Sequence, residues 1–177
     1  ASAILASPLI STRSWIADAD ALRRELPADT QRALATCDTP APATTAACEA
    51  GTAEFYRRFN GREARPQAMR DYAKANGRGF NPVLYETMWG KSEFVATGTL
   101  RDYDGEPLLA RLDGARTLFM VGQYDEARPV TALQFAARVP GAELAVIPGA
   151  AHGTFTDRPD ETIATRSEEH TSELQSH

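Results

Sequence analysis

The sequence is short of most features that mark a specialised class. Its 177 residues include two cysteines, two lysines, three histidines and 8% aromatic residues. No apolar run approaches the roughly 20 residues needed to span a bilayer, so no membrane association is expected. Acids outnumber bases by 24 to 19, a net charge of −5. That balance offers no electrostatic footprint for nucleic acid or anionic lipid. There is no Gly-rich phosphate loop, and the histidines and cysteines are too scattered for the usual zinc-ligand spacing, so no metal or cofactor is implied. The apolar start, 1–8, has no basic region before it and no cleavage pattern after it, and is not read as a secretory signal. Cys37 and Cys48 fit neither a CxxC pair nor a disulfide framework. They are expected as two small buried apolar residues in a reducing, cytoplasmic protein.

What is present is ordinary for a folded domain: 42% hydrophobic and 24% charged residues. The length fits one domain, or a small core with an inserted subdomain. The 31 alanines and 17 arginines have the bias of GC-rich bacterial coding. Residues 166–177, RSEEHTSELQSH, lack that bias. They back-translate to a common sequencing-library adapter read in frame, and are expected to be an artefactual tail that cuts the last helix short. Without them His152 is the one histidine left.

Ala3-Ile-Leu-Ala6, closed by Ser7-Pro8, reads as a buried strand. Helical spacing then dominates. Trp15, Ala19, Leu22 and Leu26 recur until Pro27, and a short helix follows Asp29. After a Pro- and Thr-rich loop at 39–45, helices are expected at 46–59, at 66–76 and, capped by Asn81-Pro82, up to Trp89. The pattern changes at 116–122, a continuous apolar run ending in Gly122 that reads as a strand buried on both faces. A Pro-started helix at 129–138 and a second buried strand at 143–148 complete a βαβ unit, which demands parallel strands and a right-handed crossover. The fold class is α/β.

Asp125 lies just past the end of the first of these strands and His152 just past the second. Ligands and catalytic groups collect at the carboxyl ends of parallel strands. An acid beside a histidine there fixes the imidazole tautomer and stabilises the imidazolium during general-base work. The small residues around His152 (Gly149, Ala150, Ala151, Gly153) let its loop approach closely. On position alone, a turn aspartate and a loop histidine with no shared role is an equal reading.

Gly122-Gln-Tyr-Asp125-Glu-Ala-Arg-Pro129 resembles the acid-bearing turn of the proline iminopeptidases, α/β-hydrolases with an inserted helical cap. Gly149-Ala-Ala-His152 is similar to their histidine loop, and the pair is separated by the appropriate 27 residues. Leu5-Ala-Ser-Pro8 with Trp15-Ile-Ala-Asp-Ala resembles the entry into the cap. Met88-Trp-Gly-Lys-Ser-Glu-Phe94 with Thr97-Gly-Thr-Leu100 resembles a cap signature of this subfamily, the most specific match. The resemblance implies a partial α/β-hydrolase fold with a core strand at 1–11, an all-helical cap at 12–104, C-terminal core at 105–165 and the tail at 166–177. It implies Asp125 and His152 as catalytic residues, and cap carboxylates that receive a substrate's α-ammonium. Glu93 is the best candidate for that role. Glu54 is a second, although a helix glutamate paired with Arg57 or Arg58 is at least as good a reading of it. Trp89, Phe94 and Tyr124 are candidates to wall an apolar proline pocket, against the commoner role of such aromatics as core.

The sequence departs from that family in one decisive respect: it has no G-x-S-x-G nucleophile elbow. Gly90-Lys-Ser-Glu-Phe94 lacks the second glycine and follows a helix. Ser7 and Ser11 end a strand but have no elbow glycines. The order in this superfamily is serine, acid, histidine, so the serine is expected upstream of residue 1, and the fragment alone is expected to be inactive. The resulting reading is a serine aminopeptidase fragment acting on a peptide or small-molecule substrate. The rivals are another capped α/β-hydrolase (esterase, lactonase or epoxide hydrolase) and a non-catalytic binding protein of the same fold.

Overall fold

A computed structural model describes residues 2–38, 45–77, 79–90 and 94–175. The loop expected at 39–45 falls almost wholly outside them, as do Lys91, Ser92 and Glu93. Three parallel strands stand side by side in chain order: β1 (Ala3–Ala6), β2 (Thr117–Gly122) and β3 (Glu143–Ile147). Ile4 pairs with Leu118, and Gly122 with Ile147. The crossover from β2 to β3 is helix α6 (Pro129–Ala136), whose proline takes the first turn, where no backbone N–H is needed.

All of β2 is buried, as its apolar run requires. Phe119 packs with Leu109, Phe135, Ala136 and Val139, while Leu118 and Met120 pack with Ile147 and Ala150. The alternation of a strand thus builds one small core on each face of the sheet. The same burial is expected of β1 and β3, and the structure departs from it. Both are largely half-buried, and Val146 is exposed. Their apolar runs resemble that of β2, but they form the two edges of this three-stranded sheet.

Between β1 and β2 the chain is helical: α1 (Thr12–Arg23), α2 (Ala28–Ala35), α3 (Ala46–Phe59), α4 (Gln67–Ala75) and α5 (Pro82–Met88). Ser11, Thr45 and Asn81 cap α1, α3 and α5 by accepting the N–H of the residue three positions on. Ala19, Leu22, Leu26, Leu34, Phe55, Phe59 and Phe94 form a third core among these helices. Gly51 lets α3 close on α2, since a Cβ there would lie 3.0 Å from Leu34 Cγ. Glu106 ties the helical segment to the sheet. Its carboxylate accepts from Ser11 and Arg13 at the start of α1 and from Arg138 beyond α6. Arg138 first, then Ser11, hold this carboxyl below the ordinary glutamate range.

The C-terminal elements are α7 (Thr154–Asp157) and α8 (Pro159–Gln175). α8 runs across Arg166 instead of ending there. Glu, Leu and Gln in the atypical segment are good helix formers, so the helix extends whatever the segment's origin. Among the described residues no helix is long and apolar enough to cross a membrane.

The cysteines correct the sequence reading: Cys37 and Cys48 form a disulfide, with Cα atoms 5.1 Å apart. Spacing alone concealed this, because the approach is created by α3 folding back on α2. The bridge closes a loop with a sequence separation of 11, and such a crosslink chiefly restricts the unfolded chain. The Cys37→Ser/Cys48→Ser double variant is expected to lose roughly 2–3 kcal/mol in chemical denaturation. Reduction of the unmodified chain should lower its stability by a similar amount and leave the double variant unchanged.

Candidate active site

The acid turn follows directly from the end of β2. Gln123 N–H donates to Ile147 O and Tyr124 N–H to Ala150 O, so the turn stays hydrogen-bonded to the strand end and loop of β3. This places Asp125, fully buried, against His152, whose side chain is about 31% exposed. Asp125 Oδ1 is 3.0 Å from His152 Nδ1. The carboxylate accepts two further backbone donors, Ala127 N–H on Oδ1 at 2.9 Å and Gly122 N–H on Oδ2 at 3.1 Å. Ser7 Oγ donates to Oδ2 at 2.5 Å. A carboxylate withdrawn from water needs such donors to remain charged. With Nδ1–H donated to Asp125, Nε2 is the basic nitrogen of the ring. The two residues singled out on strand position alone are thus brought together in the orientation of a general-base pair.

The His152 loop is held from several directions. Its small residues allow close approach, since Ala150 and Ala151 are fully buried. A Cβ at Gly122 would meet Ala151 O at 2.2 Å and Ala150 O at 2.6 Å. Phe59 O, at the end of α3, accepts both Glu126 N–H and His152 N–H, and Asn60 O accepts Gly153 N–H. Asp157 accepts the N–H groups of Ala151, Arg62 and Glu63. The Trp15 ring meets the imidazole edge-to-face at 5.6 Å between centroids, and Trp89 meets Trp15 at 6.4 Å.

A second carboxylate lies beside the pair. Glu126 is buried, accepts from Asn60 Nδ2, and places Oε1 3.8 Å from His152 Nδ1. Asp125, the closer of the two at 3.0 Å, accepts the hydrogen bond from the imidazole N–H. Behind the turn, Asp18 on α1 accepts from Thr131 Oγ1 and Arg128 N–H. Burial, only partly offset by these partners, pushes its carboxyl above the usual range.

The substrate-binding candidates fare differently. Glu54 is held by Arg57 and Arg58, and their hydrogen bonds lower its pKa to about 2. It therefore takes the paired-helix role that had been the alternative. Phe94 belongs to the helical core, its ring edge-to-face on Phe55 at 5.1 Å between centroids, and does not line the cleft beside Asp125. Trp89 is buried, and its ring meets Trp15, which in turn meets His152. A cleft of about 240 Å³ opens beside Asp125, lined in part by Leu22, Phe59, Tyr124, Pro129 and Val130. Of the aromatic candidates only Tyr124 lines it, and the Arg62 guanidinium covers the Tyr124 ring at 4.1 Å. Glu93 lies outside the described residues. Among the described residues no three His, Cys, Asp or Glu side chains are grouped as metal ligands. Sequence reading missed Glu126, although two adjacent acids past a strand end were a usable signal. Asp157 and Asn60 carried none.

The Mycobacterium smegmatis proline iminopeptidase structure superimposes with a TM-score of 0.82 over 98% of this chain and 58% of its own, at 30% identity. The VinJ structure does so with a TM-score of 0.79 over 95% of this chain and 56% of its own, at 25% identity. The chain carries part of an α/β-hydrolase fold. Among curated proteins it is similar to the proline iminopeptidase of Heyndrickxia coagulans, 28% identical over 92% of this chain and 56% of that protein. It is also similar to that of Levilactobacillus brevis, 31% identical over 89% of this chain and 52% of that protein. Over nearly its whole length the chain is thus similar to proline iminopeptidases. It spans about half the length of the curated relatives it matches. No protein-family model matches it.

Gly122→Ala tests how tightly the strand end and the histidine loop depend on each other. The added methyl meets backbone carbonyls that cannot rotate away, so urea denaturation should show a loss of about 1–3 kcal/mol. Gly61→Ala, where nothing lies within 4 Å of the new Cβ, should stay close to the parent.

Proposed function

We propose that this chain is part of a serine aminopeptidase that releases N-terminal proline, or another small residue, from peptides. The observation that carries the reading is the 3.0 Å contact between buried Asp125 and His152 Nδ1 at the ends of neighbouring parallel strands. In this reading a serine outside these 177 residues attacks the scissile carbonyl. His152 Nε2 takes the hydroxyl proton and returns it to the leaving amine. Asp125 holds the ring and stabilises the imidazolium without itself taking the proton. A water then repeats the cycle on the acyl-enzyme. Alone, the chain lacks the nucleophile and is inactive.

Residues 12–104 form the cap over the reacting groups. An N-terminal α-ammonium needs a carboxylate close to the scissile bond, since an aminopeptidase must recognise the free amine. Glu93 is assigned this role by family resemblance. Glu126 is supported by its burial beside His152. Glu54 is given no part in this reading, because two guanidinium groups already donate to it.

The test uses the longer polypeptide that includes the upstream reading frame, assayed on a chromogenic prolyl amide. His152→Ala should lower kcat at least about a thousandfold with the fold intact. Glu93→Gln and Glu126→Gln should weaken turnover of the prolyl amide more than that of a simple ester lacking the ammonium. Near-normal turnover in His152→Ala would remove the pair from the mechanism, and equal losses on both substrates would remove amine recognition.

A further inference from the structure

We propose that Ser7 is a positioning residue for the acid–base pair, its hydroxyl fixing the Asp125 carboxylate from the side opposite His152. The inference rests on the reading of Asp125 and His152 as a catalytic pair. Among the described residues, Ser7 is the only non-glycine with positive φ, +45°. An L-residue in that region is strained, and such strain persists where the surroundings demand it. Two contacts supply the demand. The Ser7 N–H donates to Met120 O at 2.8 Å, carrying the β1–β2 pairing one residue past Ala6. The left-handed turn then sends Oγ across the end of the sheet to Asp125 Oδ2, 2.5 Å away, and to within 3.4 Å of His152 O.

The consequence concerns the division of labour on the carboxylate. Oδ2 accepts from Ser7 and Gly122 N–H, while Oδ1 accepts from Ala127 N–H and His152 Nδ1. With both oxygens engaged, the carboxylate plane is fixed and Oδ1 stays aimed at the imidazole. Without the hydroxyl, Oδ2 retains a single backbone donor and the plane is free to rock. Glycine would meet the backbone demand at this position with less strain, so the side chain is what the position selects. A strained serine at a strand end also resembles a nucleophile, but its placement excludes that role here. Its hydrogen bond goes to the acid on the Nδ1 side of the ring, whereas a nucleophile must meet Nε2.

The test uses the 177-residue chain and proton NMR of the low-field His152 Nδ1 resonance, assigned by its disappearance in His152→Gln. Ser7→Gly and Ser7→Ala should keep the backbone amide spectrum of the sheet yet shift that resonance upfield or lose it to solvent exchange. Ser11→Ala, which removes a hydroxyl bonded to Glu106, should leave it in place. A resonance unmoved in both Ser7 variants overturns the proposal. So does an unfolded Ser7→Gly, which would make the hydroxyl a determinant of the fold instead. Absence of the resonance from the parent chain would overturn the acid–base pair itself, and the proposal with it.

Discussion

A buried carboxylate is the constraint on which this end of the molecule depends. Asp125 is withdrawn from water, and a charge in that position is tolerated only when donors replace its hydration. The donors come from the residue after β1, the last residue of β2, the acid turn itself and the loop after β3. Satisfying one side chain therefore fixes the relative position of all three strand ends. The parallel sheet makes this possible, because parallel strands deliver their carboxyl ends to one edge. The imidazole is one donor among four, held in a single tautomer by the same set of bonds.

The helical segment contributes to the site through backbone as much as through side chains. The end of α3 supplies the carbonyls of Phe59 and Asn60, which receive N–H groups from both the acid turn and the histidine loop. Unsatisfied carbonyls at a helix C-terminus are natural acceptors, and here they clasp two loops from different strands. The side chains of Phe59 itself and of Phe55, one turn earlier on α3, anchor that helix in the apolar core. The Cys37–Cys48 bridge ties the other end of α3 to the chain that follows α2. Packing in the helices is thereby transmitted to the position of the imidazole.

The sequence made some of this legible and hid the rest for physical reasons. The strands at 3–6, 117–122 and 143–147, the helical stretch between them and the placement of Asp125 and His152 just past two strand ends follow from local pattern, because apolar runs and glycine boundaries are local signals. The exposure of β1 and β3 was not legible, since being an edge depends on neighbours and not on the run itself. The disulfide was not legible either, because a separation of 11 residues says nothing until α2 and α3 form a hairpin. Phe94 and Glu54 read in the sequence as candidate substrate contacts. One is core and the other is a surface ion pair, outcomes decided by which side chains the fold places beside them. In the sequence Ser7 stands out only as a strand-end serine without elbow glycines. Its contact with Asp125 joins residues 118 positions apart, which no local pattern encodes.

The most direct measurement is the turnover of Asp125→Asn in the longer polypeptide. Asparagine keeps the shape but turns an acceptor into a donor, setting its NH2 against Ser7 and Gly122 N–H or against His152 Nδ1. If the buried carboxylate organises the site as described, kcat should fall by about three to four orders of magnitude while the sheet remains folded. Turnover within a few-fold of the parent would contradict the account.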